Sequence, residues 1–194
     1  MRVVAGSAGG LALSVPKTGL RPTMDVVRGA IFSSLGEFIV GARVLDLFAG
    51  TGSLGIEALS RGAASAVFVE NERRAVTAIE KNLAHTRLTG TVHALDIFSY
   101  LDRLAAPASF DVIFADPPYA KAPGERDFTA ELLRCESLRL ALKPDSLFIL
   151  EHLPSATLPV GEDWELVRDK RYGATAVAFL RVSAQKDCSG RAME

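Results

Sequence analysis

From Arg43 onward, short apolar runs alternate with segments of helical period, and this alternation constrains the fold most. The runs are RVLDLF, SAVFVE, TVHAL and FDVIFA, and helical patterns at Leu54–Arg61 and around Val76–Leu83 separate the first three. Parallel strands need a crossover between them, usually a helix. The order therefore predicts an α/β fold, in which a parallel sheet is covered by helices on both faces.

The two ends of the chain depart from this alternation. LFILEH is followed by WELVRDKRYG and ATAVAFLRV, which are joined around Gly173 with no room for a helix, so an antiparallel hairpin is expected at the sheet edge. A Gly-rich opening predicts a small hairpin or arm, and a helix ending near Gly36 follows it. We expect one domain over residues 1–184, made of an N-terminal extension (1–40) and a core (41–184). Residues 185–194 are expected to be a loose tail.

Composition excludes several classes of protein. The 194 residues suit one core, and the apolar runs are too short to cross a bilayer, so we expect an intracellular, cytoplasmic protein without a membrane partner. Lys and Arg number 22 against 23 Asp and Glu, so net charge does not indicate nucleic-acid binding. Cys135 and Cys188 are far apart and lack partners at ligand spacing, so no metal site is predicted.

VLDLFAGTGSLG leads from a predicted strand into a helix, and Gly50, Gly52 and Gly55 have the spacing G-x-G-x-x-G. In a dinucleotide site, such glycines let the backbone approach a pyrophosphate, and an acid about 20 residues on binds a ribose hydroxyl. Glu70 fits that acid. The same geometry also serves S-adenosylmethionine, so the loop alone leaves both cofactors open.

Two aspartates lie near the ends of predicted strands. Asp46 stands inside an apolar strand, where a carboxylate is costly unless it is paired or hydrogen-bonded. The ammonium of S-adenosylmethionine would pair with it, which favours the methyl donor, although a backbone-bonding aspartate is the alternative. Asp96 follows TVHAL and could accept from an adenine amine, cap the next helix, or do both.

DPPY, at Asp116 to Tyr119, ends the run FDVIFA. Pro117 and Pro118 contribute carbonyls and no N–H, and they hold Asp116 in a stiff, extended backbone. The result is a surface rich in acceptors beside the flat ring of Tyr119, which suits the exocyclic amine of a nucleobase. We expect in-line methyl transfer from sulfur to nitrogen, driven by positioning and by stabilisation of charge developing on nitrogen. A rigid strand-ending turn is the alternative.

These motifs together resemble the bacterial 16S ribosomal RNA guanine-N2 methyltransferases, within the Rossmann-like S-adenosylmethionine-dependent amino methyltransferases. The resemblance rests on LRPTMDVVRGAIFSSL, VLDLFAGTGSLGIEALSRGA, FVE, FADPPY and RYGATAVAFLR, and it covers residues 1–182. It implies a seven-stranded mixed sheet with a reversed edge strand, and methylation of the exocyclic nitrogen of a guanine in small-subunit RNA.

The resemblance also implies roles for particular residues. The methyl donor would be held by Asp46, Phe48, Gly50, Gly52, Glu70, Asn71, Asp96 and Ile97. The catalytic corner, which holds the nucleobase to be methylated, would be formed by Asp116, Pro117, Pro118 and Tyr119. Phosphate or base contacts are expected from Arg21, Thr23 and Arg28, although Arg28 could equally be an exposed helix residue.

The expected partner is 16S ribosomal RNA, bound by a monomer. The opening arm AGSAGGLALSVP holds alanine and glycine where basic residues are expected, and Lys and Arg supply most affinity for nucleic-acid backbones. An assembled or assembling small subunit is therefore a better substrate than naked RNA. Another RNA guanine, or DNA adenine or cytosine, remains an alternative target, as do a nicotinamide-dependent oxidoreductase and a binding protein without activity.

Overall fold

The computed structural model describes residues 1–15, 23–120 and 124–183, which form a seven-stranded sheet flanked by helices. The strands are β1 (Arg43–Leu47), β2 (Ser65–Glu70), β3 (Thr91–Ala94), β4 (Phe110–Ala115), β5 (Leu142–His152), β6 (Trp164–Tyr172) and β7 (Thr175–Val182). The helices are α1 (Thr23–Leu35), α2 (Ser53–Ser60), α3 (Arg73–Thr86), α4 (Ile97–Arg103), α5 (Phe128–Arg134) and α6 (Glu136–Ala141). A short 3₁₀ helix at Gly36–Ile39 follows α1.

The strand order is β3-β2-β1-β4-β5-β7-β6, and the first five strands in this order are parallel. The chain moves outward from β1 to β3 and then returns to the other side of β1 with β4. The order therefore reverses between β1 and β4. In open α/β sheets, ligands bind outside the carboxyl ends of the strands at such a reversal.

Helices cover the sheet on both faces, as the alternation of apolar runs predicts. Residues Val44 to Leu47 of β1 are all buried, because side chains on both faces of this strand meet a packed layer. One layer includes Phe32 and Ile79, and the opposite layer includes Leu101 and Leu138. The two layers therefore cover both faces of the central strands.

The predicted edge hairpin is present. β6 and β7 pair antiparallel, and β7 also pairs antiparallel with β5, so β6 is the outer strand. β7 is almost wholly buried, whereas β6 is mostly exposed after Trp164, which matches their apolar and charged sequences. The mixed, Rossmann-like seven-stranded sheet expected from the sequence is thereby confirmed.

The opening arm, residues 1–14, is folded back on itself by an antiparallel bridge between Arg2 and Ala12 and by backbone hydrogen bonds such as that from the Val3 amide to the Leu11 carbonyl at 2.9 Å. It is held against α2 through its backbone. The amides of Val4 and Ala5 donate to the Glu57 carboxylate at 2.7 and 3.1 Å, and the Ala8 amide donates to Ser60 Oγ at 2.9 Å. Side chains of α2 thus fix an arm that has few anchoring side chains of its own.

Two helices were not predicted from the sequence. α5 and α6 lie between β4 and β5 and span 7 and 6 residues, too short for a helical period to be recognised with confidence in a sequence. Asp127 caps α5 by accepting from the Ala130 amide at 3.0 Å. α3 is also longer at both ends than the Val76–Leu83 pattern indicates. None of the helices in the described residues is long and apolar enough to span a membrane.

Candidate active site

The glycine loop after β1 is tied to the end of β2. Glu70 Oε2 accepts from the Gly50 amide at 2.8 Å, and Glu70 Oε1 accepts from the Asn71 and Glu72 amides at 2.9 Å each. Gly52 is the N-cap of α2 in the left-handed region, with φ of 76°. The acid predicted to bind a ribose therefore also shapes the loop that would face the cofactor.

Gly55 is required by close packing of α2 on β2. A Cβ at this position would lie 2.3 Å from the ring of Phe68, which is fully buried. The third glycine of the motif therefore lets the helix approach the sheet, as expected for this fingerprint.

Asp46 lies under the loop and is 1% exposed. Its Oδ2 accepts from the Gly55 amide at 2.9 Å, so the carboxyl caps the first turn of α2. Burial raises the pKa of Asp46 to about 8; the Gly55 amide opposes this shift, and the charges of Asp116 and Glu70 add to it. The backbone bond considered as an alternative is present, and pairing with a ligand ammonium stays a prediction.

A cavity of about 520 Å³ opens at the carboxyl ends of the parallel strands. Its volume is within the usual range for small-molecule sites. Nine residues predicted for the site line it: Phe48, Glu70, Asn71, Asp96, Ile97, Asp116, Pro117, Pro118 and Tyr119. The structure therefore brings Phe48, at the start of the glycine loop, together with the ends of β2 and β3 and the DPPY motif. The predicted donor residues Asp46, Gly50 and Gly52 are not among the residues that line this cavity.

Asp96 has the capping role considered for it, and its contact with an adenine amine stays a prediction. It is the N-cap of α4, and its Oδ1 accepts from the amides of Phe98 and Ser99 at 3.1 and 3.0 Å. It also lines the cavity, together with Ile97, the first residue of the helix. Helix capping thus fixes the carboxylate at the cavity wall.

Phe48 has an unusual backbone conformation for an aromatic residue, with φ of 54°. This turn lets its ring meet the Phe128 ring edge-on, with centroids 5.3 Å apart. Strained backbone of this kind clusters at functional sites. Here it closes one wall of the cavity with an apolar pair.

The DPPY corner has a graded exposure. Asp116 and Tyr119 are half-buried, Pro117 is buried, and Pro118 is exposed. The Tyr119 hydroxyl lies 2.8 Å from Thr175 Oγ1 and 3.3 Å from Glu151 Oε1. Burial raises the pKa of this hydroxyl, and the nearby carboxylates raise it further, so it remains a neutral donor that anchors the ring.

The three residues predicted to contact substrate are placed differently. Arg28 is 2% exposed, so it is not an exposed helix residue. It pairs with Asp25 at 2.9 Å and with the buried Glu57 at 3.4 Å, and it donates to the carbonyl of Arg2. Its guanidinium therefore ties α1 to the arm and to α2. Thr23 begins α1, and Arg21 lies outside the described residues.

Among the described residues of the cavity wall, three were not predicted: Arg126, Phe128 and Glu151. Arg126 stacks on the Phe128 ring, 4.5 Å from its centroid, and makes a two-pronged ion pair with Glu131. Arg126 and Phe128 follow DPPY in a loop and a short helix whose sequence shows no clear hydrophobic period. Glu151 sits within an apolar strand, which is the same signal that singled out Asp46.

Residues 1–181 match the model of the family described as conserved hypothetical protein 95. The chain belongs to this family. Its relatives include the protein of Escherichia coli K12 named ribosomal RNA small subunit methyltransferase D, which is 36% identical over 95% of this chain and 91% of that protein. The Haemophilus influenzae protein of the same name is also 36% identical, over 89% of each chain. The family resemblance drawn from the sequence motifs is confirmed.

Solved structures that are similar to this chain have the same fold. The Escherichia coli protein YhhF has 34% identity and a TM-score of 0.79, with 95% of this chain and 99% of that chain aligned. A more distant structure, SMU.776, has 17% identity and a TM-score of 0.66 over 84% of this chain and 50% of that chain. SMU.776 was solved in complex with SAH. These likenesses confirm the Rossmann-like methyltransferase fold.

Proposed function

We propose that this protein transfers a methyl group from S-adenosylmethionine to the exocyclic N2 of a guanine in 16S ribosomal RNA. The ribosomal RNA methyltransferase names of the relatives that span nearly the whole chain support the substrate class. The observation that carries the proposal is the position of Asp116, Pro117 and Tyr119 on the same cavity as Glu70 and Asp96.

The cavity suits S-adenosylmethionine because its polar lining accepts hydrogen bonds and attracts cations. Carboxylates of Glu70, Asp96, Asp116 and Glu151 surround it. The donor carries a sulfonium, an ammonium, a ribose diol and an adenine amine, all of which are cations or hydrogen-bond donors. We assign Glu70 and Asn71 to the ribose, Asp96 to the adenine amine, and Phe48 and Ile97 to the apolar faces. When bound, the donor supplies an electrophilic methyl group.

The same features disfavour a nicotinamide dinucleotide. A pyrophosphate needs free amides at a helix N-terminus, and it is repelled by carboxylates. Here Asp46 already takes the Gly55 amide in the first turn of α2, and Glu70 takes the Gly50 amide. The glycine loop, which left both cofactors open, therefore favours the methyl donor in its folded context.

The acceptors of the DPPY corner hold the amine that receives the methyl group. Asp116 and the Pro117 carbonyl accept its two N–H bonds, and the Tyr119 ring stacks on the base. These bonds orient the nitrogen lone pair and stabilise its growing positive charge. The N–C bond forms as the S–C bond breaks, and the proton lost from nitrogen passes to Asp116 or to water.

The arm and its contacts bear on the RNA partner. Arg28 is used within the protein, so fewer cations of residues 1–40 are available to phosphates than the sequence suggests. An extension of low charge favours a substrate that presents a folded surface. We therefore propose the assembled or assembling small subunit as the substrate. We also propose that the enzyme is a monomer and that it acts in the cytoplasm.

A labelled methyl donor tests this function directly. The protein is incubated with DNA, protein-free 16S RNA and small subunits purified from cells that lack the modification, and the labelled nucleosides are identified by mass spectrometry. We expect label in small subunits, as N2-methylguanosine. Label only in DNA, or a methylated adenine or cytosine, would reject the proposal.

A further inference from the structure

Glu151 and Asp116 stand side by side at the carboxyl edge of the sheet. β4 and β5 are parallel, with Ala115 opposite Leu150, and each of these two residues is followed by one of the two acids. Both side chains line the cavity at the carboxyl ends of the parallel strands. Both also line a small adjoining pocket, together with Arg28.

One oxygen of Glu151 is held by a short chain of hydroxyls. Thr175 Oγ1 lies 2.8 Å from both Glu151 Oε1 and the Tyr119 hydroxyl, whereas the Tyr119 hydroxyl lies 3.3 Å from Glu151. Thr175 Oγ1 also lies 3.3 Å from the carbonyl oxygen of His152, and two hydroxyl protons cannot serve all four contacts. The shorter contacts define the chain, in which Tyr119 donates to Thr175 and Thr175 donates to Glu151.

The other oxygen has no such partner. In the described parts of the chain, no donor lies within hydrogen-bond distance of Glu151 Oε2. The carboxylate is thus fixed through one oxygen beside the DPPY corner, and its second oxygen can accept from a group in the cavity. An acceptor held in this way suits a base that has an N–H group next to the exocyclic amine bound at the DPPY corner.

Among the bases that carry an exocyclic amine, guanine alone has that arrangement. Its N1 carries a hydrogen beside the 2-amino group, whereas the ring nitrogen beside the amine is an acceptor in adenine and cytosine. A carboxylate accepts a hydrogen bond from N1–H of guanine, and it repels the lone pair of the corresponding ring nitrogen in adenine and cytosine. We propose that Glu151 Oε2 accepts the N1–H of the target guanine and so selects guanine, an inference that rests on the proposed function.

The test uses a base that keeps the amine and lacks the N1 hydrogen. After the methylated nucleotide is mapped, small subunits are reconstituted with guanine or 2-aminopurine at that position. Methylation rates are compared for the unmodified protein and for Glu151→Gln, whose amide can donate to N1 of 2-aminopurine. Glu165→Gln is the matched control, because Glu165 is an exposed residue of β6, outside the cavity.

We expect the unmodified protein and Glu165→Gln to prefer guanine. In Glu151→Gln the ratio of the guanine rate to the 2-aminopurine rate should fall by about 10-fold to 100-fold. Equal slowing on both bases, with the ratio unchanged, would overturn the inference and leave the proposed function standing. Methylation of a base without a 2-amino group in unmodified subunits would overturn both.

A second variant covers the case in which Glu151→Gln does not fold, as judged by circular dichroism. Thr175→Val keeps the carboxylate but removes the hydroxyl that donates to it. Its preference for guanine over 2-aminopurine should fall, because the acceptor is no longer held in place. An undiminished preference in this variant would contradict the role assigned to Glu151.

Discussion

Glu70 Oε2 accepts a hydrogen bond of 2.8 Å from the amide of Gly50, which joins the end of β2 to the loop after β1. One side chain thus holds the loop and faces the cavity in which a ribose would bind. Any substitution of Glu70 should change both the shape of the loop and the set of acceptors open to a cofactor.

Glu70→Ala is expected to act mainly on the binding of S-adenosylmethionine, so the Kd for the donor should rise. Loss of hydrogen bonds to a charged acceptor costs about 1.5–3 kcal/mol, or a rise in Kd of about 10-fold to 150-fold. Calorimetric titration with the donor measures this change. Glu72→Ala, which removes a neighbouring exposed acid, should leave Kd unchanged; equal weakening in both variants would count against a specific role.

Asp116→Ala should slow turnover strongly and leave the affinity for the methyl donor unchanged, because Asp116 is assigned to the amine. Loss of one such acceptor is expected to lower kcat about 100-fold to 1,000-fold. Single-turnover methylation of small subunits measures the rate, and calorimetry measures donor affinity. A variant with normal kcat would remove Asp116 from the mechanism.

Tyr119 offers two substitutions that separate its ring from its hydroxyl. Tyr119→Phe loses the anchor to Thr175 and should cost about 1 kcal/mol of stability, with stacking retained. Tyr119→Ala loses stacking worth about 1–3 kcal/mol, so KM for small subunits should rise further. Urea unfolding and steady-state kinetics test the pair. If KM is the same in both variants, the ring does not stack on the base.

Asp46 should impose a pH dependence on stability. Its pKa is about 8 in the folded protein, against 3.8 for an ordinary aspartate, because it is buried. Between these values the folded state holds a proton that the unfolded state releases, so stability falls as pH rises from about 4 to about 8. Asp46→Asn keeps an acceptor for the Gly55 amide and lacks this titration.

The comparison is made by urea unfolding of both proteins at several pH values without the methyl donor. The unfolding free energy of the unmodified protein minus that of Asp46→Asn should decline with pH, by at most about 1.4 kcal/mol per unit. A difference that is constant or rises with pH would show that Asp46 is already ionised in the fold.

Gly6 and Gly10 provide a matched pair that tests how the arm packs. Both have left-handed φ, at 84° and 85°. A Cβ on Gly6 would lie 1.8 Å from the carbonyl oxygen of Ser60, whereas a Cβ on Gly10 would meet nothing within 4 Å. Gly10→Ala should cost about 1–2 kcal/mol through backbone strain. Gly6→Ala should cost about 1–3 kcal/mol more, as measured by urea unfolding, and equal costs would contradict the packed arm.

The elements that the sequence predicted correctly are those with long or strictly ordered patterns. β2 runs from Ser65 to Glu70, which is the predicted run SAVFVE. The DPPY corner and the acids at the ends of β2 and β3 meet because parallel strands end at one edge. The order of the motifs along the chain already implies this topology. The short helices α5 and α6 lacked a pattern of sufficient length.

Contacts between distant segments could not be predicted. Arg28 lies in a motif that suggested substrate contact, but its partner Glu57 is on another helix, and only the packed arm reveals that the pair is buried. Glu151 could have been noticed, since a carboxylate inside LFILEH is as costly as Asp46 inside RVLDLF. Its position beside Asp116 depends on strand register, which the sequence does not specify.

A crystal structure of the protein with S-adenosylmethionine bound tests the central claim most directly. The quantity to measure is the direction of the methyl carbon relative to Asp116 and the Pro117 carbonyl. We predict that the methyl carbon faces this corner across an open space that fits one base, with the ribose at Glu70. A methyl carbon directed away from the corner, or a corner covered by side chains in the complex, would contradict the account.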